Sequence, residues 1–113
     1  DAIPYWDYDA PVTEETPRDA SAASVTASAL IELSTMVPDG QKYLDYAEKI
    51  LKSLSSDAYL AKVGDNQGFI LMHSVGSLPN GSEIDTPLNY ADYYYLEALK
   101  RFMDLKGINY KDI

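Results

Sequence analysis

Candidate functional residues lie in loops on either side of the predicted helices. Residues 5–9 alternate aromatic side chains with carboxylates and include Trp6 and Asp7. Arg18 closes the same proline-rich segment, and His73, the only histidine, lies in an apolar run. Cysteine is absent, and one histidine without suitable neighbours cannot hold a metal ion. The sequence therefore predicts no metal site. The groups that could bind a ligand are the aromatic face of Trp6, the Asp7 carboxylate and the Arg18 guanidinium.

The composition excludes several classes of partner. The 113 residues are 46% hydrophobic and 24% charged, as in ordinary globular domains. No apolar run approaches the roughly 18 residues that span a bilayer. A net charge of −9 leaves no basic footprint for nucleic acid and no polybasic patch for a membrane. The chain starts at Asp1 without Met, which we interpret as a cut into a longer protein.

Two neighbouring helices are predicted in the first half of the chain. Asp19 is a good N-cap for a helix that runs to about Met36, in which Glu32 is the only charged residue. A second helix over about 40–55 is amphipathic and is expected to be capped by Asp39. A helix with hardly any charge is usually buried on most sides. The pair therefore indicates an inner helix beside an outer one.

A hairpin and a third helix are predicted in the second half. Residues 68–75 are interpreted as a short buried strand that pairs with residues 82–85 across a turn. The last helix begins near Asn89, with Asp92 as its capping-box partner, and is expected to end before Gly107. Most of its tyrosines are expected to pack in the core; they are Tyr90, Tyr93, Tyr94 and Tyr95.

Four strings together resemble one enzyme family over nearly the whole chain. They are Pro-Tyr-Trp-Asp-Tyr-Asp-Ala-Pro at 4–11, Arg-Asp-Ala-Ser-Ala-Ala at 18–23, His-Ser-Val-Gly at 73–76, and Tyr-Ala-Asp-Tyr-Tyr-Tyr-Leu-Glu-Ala-Leu at 90–99. In this order they resemble the C-terminal part of the unsaturated glucuronyl hydrolases, glycoside hydrolase family 88. The Trp-Asp loop and the tyrosine-rich helix together are the more specific part of the match.

The resemblance implies a fold and a reaction. The family is an (α/α)6 barrel that removes 4,5-unsaturated uronic acid from the non-reducing end of lyase-generated oligosaccharides. It hydrates the double bond by general acid–base catalysis and needs no cofactor. The essential Asp pair lies in the family's N-terminal half and has no counterpart here. We therefore expect residues 1–113 to be the C-terminal fragment of one all-α barrel domain, with a short β-hairpin near residues 68–85, and to be inactive alone.

The resemblance also implies which residues bind substrate. Loops that enter the inner helices of such barrels tend to face the active site, so Trp6 could stack on a sugar with Asp7 beside it. Arg18 could meet a uronate carboxylate. His73 is a further candidate, although a lone histidine in an apolar strand is usually a hydrogen-bonded core residue. The alternative roles are structural: Trp6 plugs the barrel end and Arg18 offsets the nearby acids.

A second binding region is implied just before the last helix. Some family members carry Ser-x-x-Ser-x-Lys here, associated with sulfated or charged groups on the leaving sugar. The stretch aligns with Ser77, Asn80 and Ser82, so the lysine is missing. Without that cation, a preference for unsulfated chondroitin- or hyaluronan-type products, or plant-type uronates, is expected. The alternative is that residues 79–81 form only a turn.

Two other functions remain open at this point. One is the same-fold unsaturated rhamnogalacturonyl hydrolase, against which the Arg18-Asp19 entry to the first helix argues. The other is a non-catalytic helical binding module, which the nearly uncharged first helix disfavours because it must be covered on several sides. The expected partners are an unsaturated oligosaccharide, the missing N-terminal part of the barrel, and a second copy held through exposed inner-helix surface. The bacterial compartment, cytoplasm or periplasm, stays open.

Overall fold

Three α-helices make up most of the regular structure. A computed structural model describes residues 1–112 and contains α1 (Ala20–Ser34), α2 (Gln41–Leu54) and α3 (Asn89–Lys106). Short 3-10 turns lie at Asn66–Gly68 and Tyr110–Asp112. None of the helices within residues 1–112 is long and apolar enough to cross a membrane. The three predicted helices are thus confirmed to within about two residues at each end.

Small side chains on α1 allow two other helices to approach it closely. Asp19 caps the helix as predicted, because its carboxylate accepts a hydrogen bond from the Ser21 amide at 3.0 Å. The buried face consists almost entirely of small residues, namely Ala20, Ser21, Ala23, Ser24, Ala27, Ser28 and Ile31. The α1 helix packs extensively against both α2 and α3, whereas α2 and α3 hardly touch each other. It is therefore the central helix of the three.

The α1 and α3 helices run parallel to each other. Ser28 on α1 bonds Glu97 on α3, and the two residues are 69 positions apart in the chain. The ion pair between Glu32 and Arg101 one turn further along has the same separation. A constant separation along two helices means that both advance in the same direction. Their N-terminal ends therefore lie side by side at one end of the molecule.

The α2 helix folds back antiparallel onto α1 after a tight turn. Its buried residues Leu44, Ala47, Ile50, Leu51 and Leu54 form the predicted apolar stripe. The prediction that Asp39 caps it is wrong, because the N-cap is Gly40 and has no side-chain cap bond. Gly40 sits so close to the Ser34 carbonyl that a Cβ would overlap it. The turn therefore requires glycine at the cap, and Asp39 pairs with Lys42 at 2.7 Å instead.

The α3 helix departs from prediction at its start and on its surface. It ends at Gly107 in the left-handed conformation, as predicted (φ 70°). Asp92 does not cap it, because its carboxylate accepts the amides of Ile70 and Leu71 from the preceding loop. Of the four clustered tyrosines only Tyr95 is buried, since the side of α3 away from α1 is uncovered. The expectation of a mostly buried tyrosine cluster is therefore wrong.

The predicted hairpin is present as isolated antiparallel bridges. Ser74 pairs with Thr86, and Ser77 with Ser82, but no regular strand occurs within residues 1–112. His73, Glu83 and Asp85 have positive φ angles of 67°, 54° and 49°, which bend both arms out of an extended conformation. The hairpin therefore spans residues 74–86, and Leu71 just before it pairs with Leu60 instead.

Candidate functional site

The loops that carry the predicted binding residues meet at the N-terminal end of α1. Within the first loop, the Trp6 amide donates to the Pro17 carbonyl at 3.0 Å. The first amide of α1, on Ala20, donates to the His73 carbonyl at 2.9 Å. Because α1 and α3 are parallel, the hairpin that leads into α3 lies at this same end. The structure thus brings the Trp6 loop and the 74–86 hairpin together on one face.

Asp19 joins the two loops, a role that its helix-capping position did not reveal. Its side chain is buried, with 9% of the residue exposed. One carboxylate oxygen, Oδ1, accepts hydrogen bonds from the Ser21 amide (3.0 Å), the Ser21 hydroxyl (2.7 Å) and the Val75 amide (3.1 Å). The Asp19 amide in turn donates to the Pro4 carbonyl at 2.9 Å. A buried carboxylate is stable here because several donors surround it.

Arg18 is engaged within its own loop. Its guanidinium donates to the Asp1 carboxylate at 3.0 Å and to the Ile3 carbonyl at 2.6 Å. It also lies 4.4 Å from the centroid of the Tyr5 ring, in cation–π contact. Tyr59 completes this cluster by donating its hydroxyl to Asp1 at 3.0 Å, and burial raises the Tyr59 pKa. These contacts favour the structural role for Arg18, and its contact with a uronate stays a prediction.

Trp6 and Asp7 lie at the rim of the first loop. Trp6 is half-buried and Asp7 is exposed. The Asp7 carboxylate accepts the Asp9 amide at 2.7 Å, which closes a local turn. One oxygen of Asp7 is therefore committed to the loop, while the indole of Trp6 remains partly accessible for a ligand.

His73 faces an open groove instead of the core. The groove measures about 560 Å³ and is lined by Glu14, Glu15, Arg18, Tyr59, His73 and Asp85, among others. His73 Nδ1 lies 2.5 Å from Asp85 Oδ1, and the Tyr59 ring meets the imidazole edge-on at 6.0 Å. Its side chain is 45% exposed, which argues against the alternative of a core histidine, and the contact of His73 with substrate stays a prediction. Within residues 1–112 no group of acidic and histidine side chains is arranged to hold a metal.

The residues aligned with the sulfate-associated stretch cluster at the tip of the hairpin. The Asn80 amide group donates to the Ser77 hydroxyl at 2.9 Å, and Ser77 and Ser82 exchange two backbone hydrogen bonds at 3.0 Å. Asn80 and Ser82 are exposed. The next residue is Glu83; burial, followed by the charges of Glu83 and Asp19, raises the pKa of Tyr90. The surface around the hairpin therefore contains neutral hydroxyl and amide groups beside a carboxylate.

A polar cluster connects α1 and α3 further along the helices. The Ser28 hydroxyl donates to Glu97 at 2.6 Å, and this bond is the main reason that the pKa of Glu97 is lowered. Arg101 donates to the Ser28 carbonyl at 3.0 Å and pairs with Glu32 at 3.3 Å. The sequence did not predict this cluster. In a helix of small residues, sequence alone does not distinguish a serine that bonds a neighbouring helix from one that only allows close packing.

The helix arrangement and its structural relatives define the class of protein. Parallel helices α1 and α3 with the antiparallel α2 outside them reproduce one segment of an α/α barrel. A crystal structure of an unsaturated glucuronyl hydrolase specific for heparin matches 94% of this chain with a TM-score of 0.91 and 68% identity. The corresponding enzyme of Bacillus sp. GL1 matches 95% with a TM-score of 0.81 and 26% identity. The chain covers 29% of each structure.

Two sequence relatives are hydrolases of unsaturated saccharides by name. An unsaturated glucuronyl hydrolase of Formosa agariphila is 50% identical over 93% of the chain, which spans 26% of that protein. An unsaturated chondroitin disaccharide hydrolase of Streptococcus pyogenes is 32% identical over 90% of the chain, again 26% of its own length. No family model matches the chain. These findings confirm the resemblance to the unsaturated glucuronyl hydrolases. The chain corresponds to one segment of such a protein and spans about a quarter of its length.

Proposed function

We propose that this chain is part of a hydrolase that removes 4,5-unsaturated uronic acid from the non-reducing end of lyase-generated oligosaccharides. The observation that carries the proposal is the match to the heparin-specific enzyme, at 68% identity and a TM-score of 0.91. Residues 1–113 form one part of a single barrel domain, and the general acid that protonates the double bond and then activates water belongs to the rest of that domain.

The contribution of this segment is substrate binding. The partly accessible Trp6 ring supplies an apolar face for a sugar, and it lies at the same end as the hairpin. Asn80 and Ser82 offer hydroxyl and amide groups to the hydroxyls of the leaving sugar. The free edge of His73 faces the neighbouring groove, where the pairing with Asp85 fixes its ring. No cofactor takes part in this proposal.

The substrate is a heparin-type unsaturated disaccharide without a sulfate at the position that meets the hairpin. The most similar solved structure reported above is specific for heparin, which supports the backbone type. The hairpin tip is neutral and is followed by Glu83. The Glu83 carboxylate repels a sulfate, whereas a lysine in this stretch would attract one. Both observations fit a heparin-type backbone in which this one position is unsulfated. The missing lysine alone favoured a chondroitin- or hyaluronan-type product, and the heparin-type backbone replaces that expectation in this proposal.

A panel of unsaturated disaccharides tests this proposal. The longer protein that contains this chain is incubated with heparin-, chondroitin- and hyaluronan-type disaccharides and with an unsaturated rhamnogalacturonan fragment, and loss of double-bond absorbance is followed. Fastest loss with the unsulfated heparin-type compound is the expected result. Activity confined to the rhamnogalacturonan fragment would assign the protein to the rival hydrolase class. Binding without turnover of any compound would assign it to a binding module.

The 113-residue chain alone is expected to bind poorly, to be inactive and to self-associate. The α1 surface outside the two helix contacts is apolar, with Val25 40% exposed and Ala29 also exposed, and in the barrel the remaining helices would cover it. Light scattering of the isolated chain should show an oligomer, or reassociation with the rest of the barrel when both are present. A monomer that unfolds cooperatively would contradict this assignment.

A further inference from the structure

Asp19 makes more hydrogen bonds than a helix cap requires. An N-cap side chain needs one bond to the second or third amide of the helix, which the Ser21 amide supplies at 3.0 Å. The same oxygen also accepts the Val75 amide at 3.1 Å, and Val75 lies 56 residues away in the chain. The Asp19 side chain is buried, so this bond is not exchanged for water. The additional bond therefore serves the position of the hairpin and not the stability of α1 alone.

The backbone amides of Asp19 and Ala20 also connect α1 to the two loops. The Asp19 amide donates to the Pro4 carbonyl at 2.9 Å, two residues before Trp6. The Ala20 amide donates to the His73 carbonyl at 2.9 Å, two residues before Val75. Two adjacent residues thus hold the Trp6 loop on one side and the start of the hairpin on the other. The Val75 bond is the part of this arrangement that depends on a side chain.

We propose that Asp19 is a positioning residue for substrate binding, which sets the 74–86 hairpin relative to the Trp6 loop through its bond to the Val75 amide. The carboxylate does not touch the sugar itself. The inference rests on the proposed hydrolase function, because in that function both the Trp6 loop and the hairpin contact the substrate. It differs from the capping role in a testable way, since the cap and the Val75 bond can be separated by substitution.

Two substitutions at Asp19 separate these roles. Asp19→Ser keeps an oxygen that can cap α1, because serine is as good an N-cap as aspartate, but its side chain is one atom too short to reach Val75 as well. Asp19→Asn removes the charge and keeps an amide oxygen at the position of Oδ1. Ser21→Ala is the matched control, since it removes the 2.7 Å bond from the Ser21 hydroxyl and leaves the Val75 bond in place.

The variants are made in the full-length hydrolase and assayed with the unsaturated disaccharide that it uses best. Asp19→Ser should raise KM about tenfold and leave kcat within about twofold, because the lost bond positions a loop that binds substrate and does not touch the reacting atoms. Amide hydrogen exchange over residues 73–77 should accelerate by about tenfold in the same variant. Asp19→Asn and Ser21→Ala should stay within about twofold of the wild type in both measurements.

Several outcomes would overturn the inference. An Asp19→Ser enzyme with faster exchange but unchanged KM would show that binding does not depend on this bond. An Asp19→Asn enzyme as impaired as Asp19→Ser would show that the charge, not the position of the acceptor, matters. If Asp19→Ser fails to fold, Val75→Pro removes the same amide donor without altering the cap, and an unchanged KM in that variant is decisive against the inference. Absence of all turnover in the wild type would refute the proposed function, whereas the exchange measurement still reports on the bond.

Discussion

Asp92 is expected to stabilise the fold by holding the loop that precedes the hairpin. Its two carboxylate oxygens accept the amides of Ile70 (2.8 Å) and Leu71 (2.9 Å), and Leu71 is fully buried. An unsatisfied buried amide costs about 1–3 kcal/mol. Asp92→Ala leaves both amides unpaired, but water reaches the half-buried Ile70, so a loss of about 2–4 kcal/mol is expected. Asp92→Asn keeps one acceptor and should lose about half of that.

Urea unfolding of the hydrolase, followed by circular dichroism, measures these differences. Asp104→Ala is the matched control, because Asp104 lies on the same helix and its carboxylate pairs with the exposed Lys100 side chain. A surface pair of this kind contributes about 0.3–0.5 kcal/mol. If Asp92→Ala costs no more than Asp104→Ala, the two amides find other partners and the assigned role of Asp92 is wrong.

Three further substitutions test other parts of the structure. Gly40→Ala should cost about 1–3 kcal/mol in urea unfolding, because the new Cβ overlaps the Ser34 carbonyl, and an unchanged midpoint would show that the turn can widen. Glu97→Gln should lower the melting temperature more at pH 7 than at an acid pH below the usual glutamate range: a carboxyl whose folded pKa is lowered stabilises above its unfolded pKa, and this is lost as the pH falls through the folded value. A deficit that is equal at both pH values would contradict the effect. Ser82→Lys should increase turnover of sulfated relative to unsulfated disaccharides, and an unchanged ratio would remove the hairpin tip from the substrate contacts.

The helices could be predicted from the sequence because their signals are local. Each signal depends on residues within one or two turns of each other. The signals are the Asp19 cap, the contrast between the nearly uncharged α1 and the amphipathic α2, and the left-handed Gly107. The cap of α2 could not be predicted in this way. Asp39 is a better cap than Gly40 by side-chain chemistry, but the distance to the Ser34 carbonyl decides the position and is a property of the folded turn.

The site could be predicted in part for the same reason. The motifs identified the loops, and the parallel course of α1 and α3 places those loops at one end. The partners of individual side chains were not predictable, because they come from distant segments. His73 was expected in an apolar strand, but a positive φ angle turns its ring outward to Asp85. The bond from Asp19 to Val75 likewise joins residues that no sequence pattern relates.

The order of contacts along the chain has a consequence for folding. The α1 and α2 helices are connected by a six-residue turn and can pair as soon as both are synthesised. The α3 helix meets α1 across long separations in the chain, such as the 69 residues between Ser28 and Glu97 and the 73 residues between Ser28 and Arg101. Non-local contacts of this length form late, because closing the intervening loop costs entropy before the contacts form. The candidate site depends on that late pairing, so its geometry is completed only when the last helix has docked.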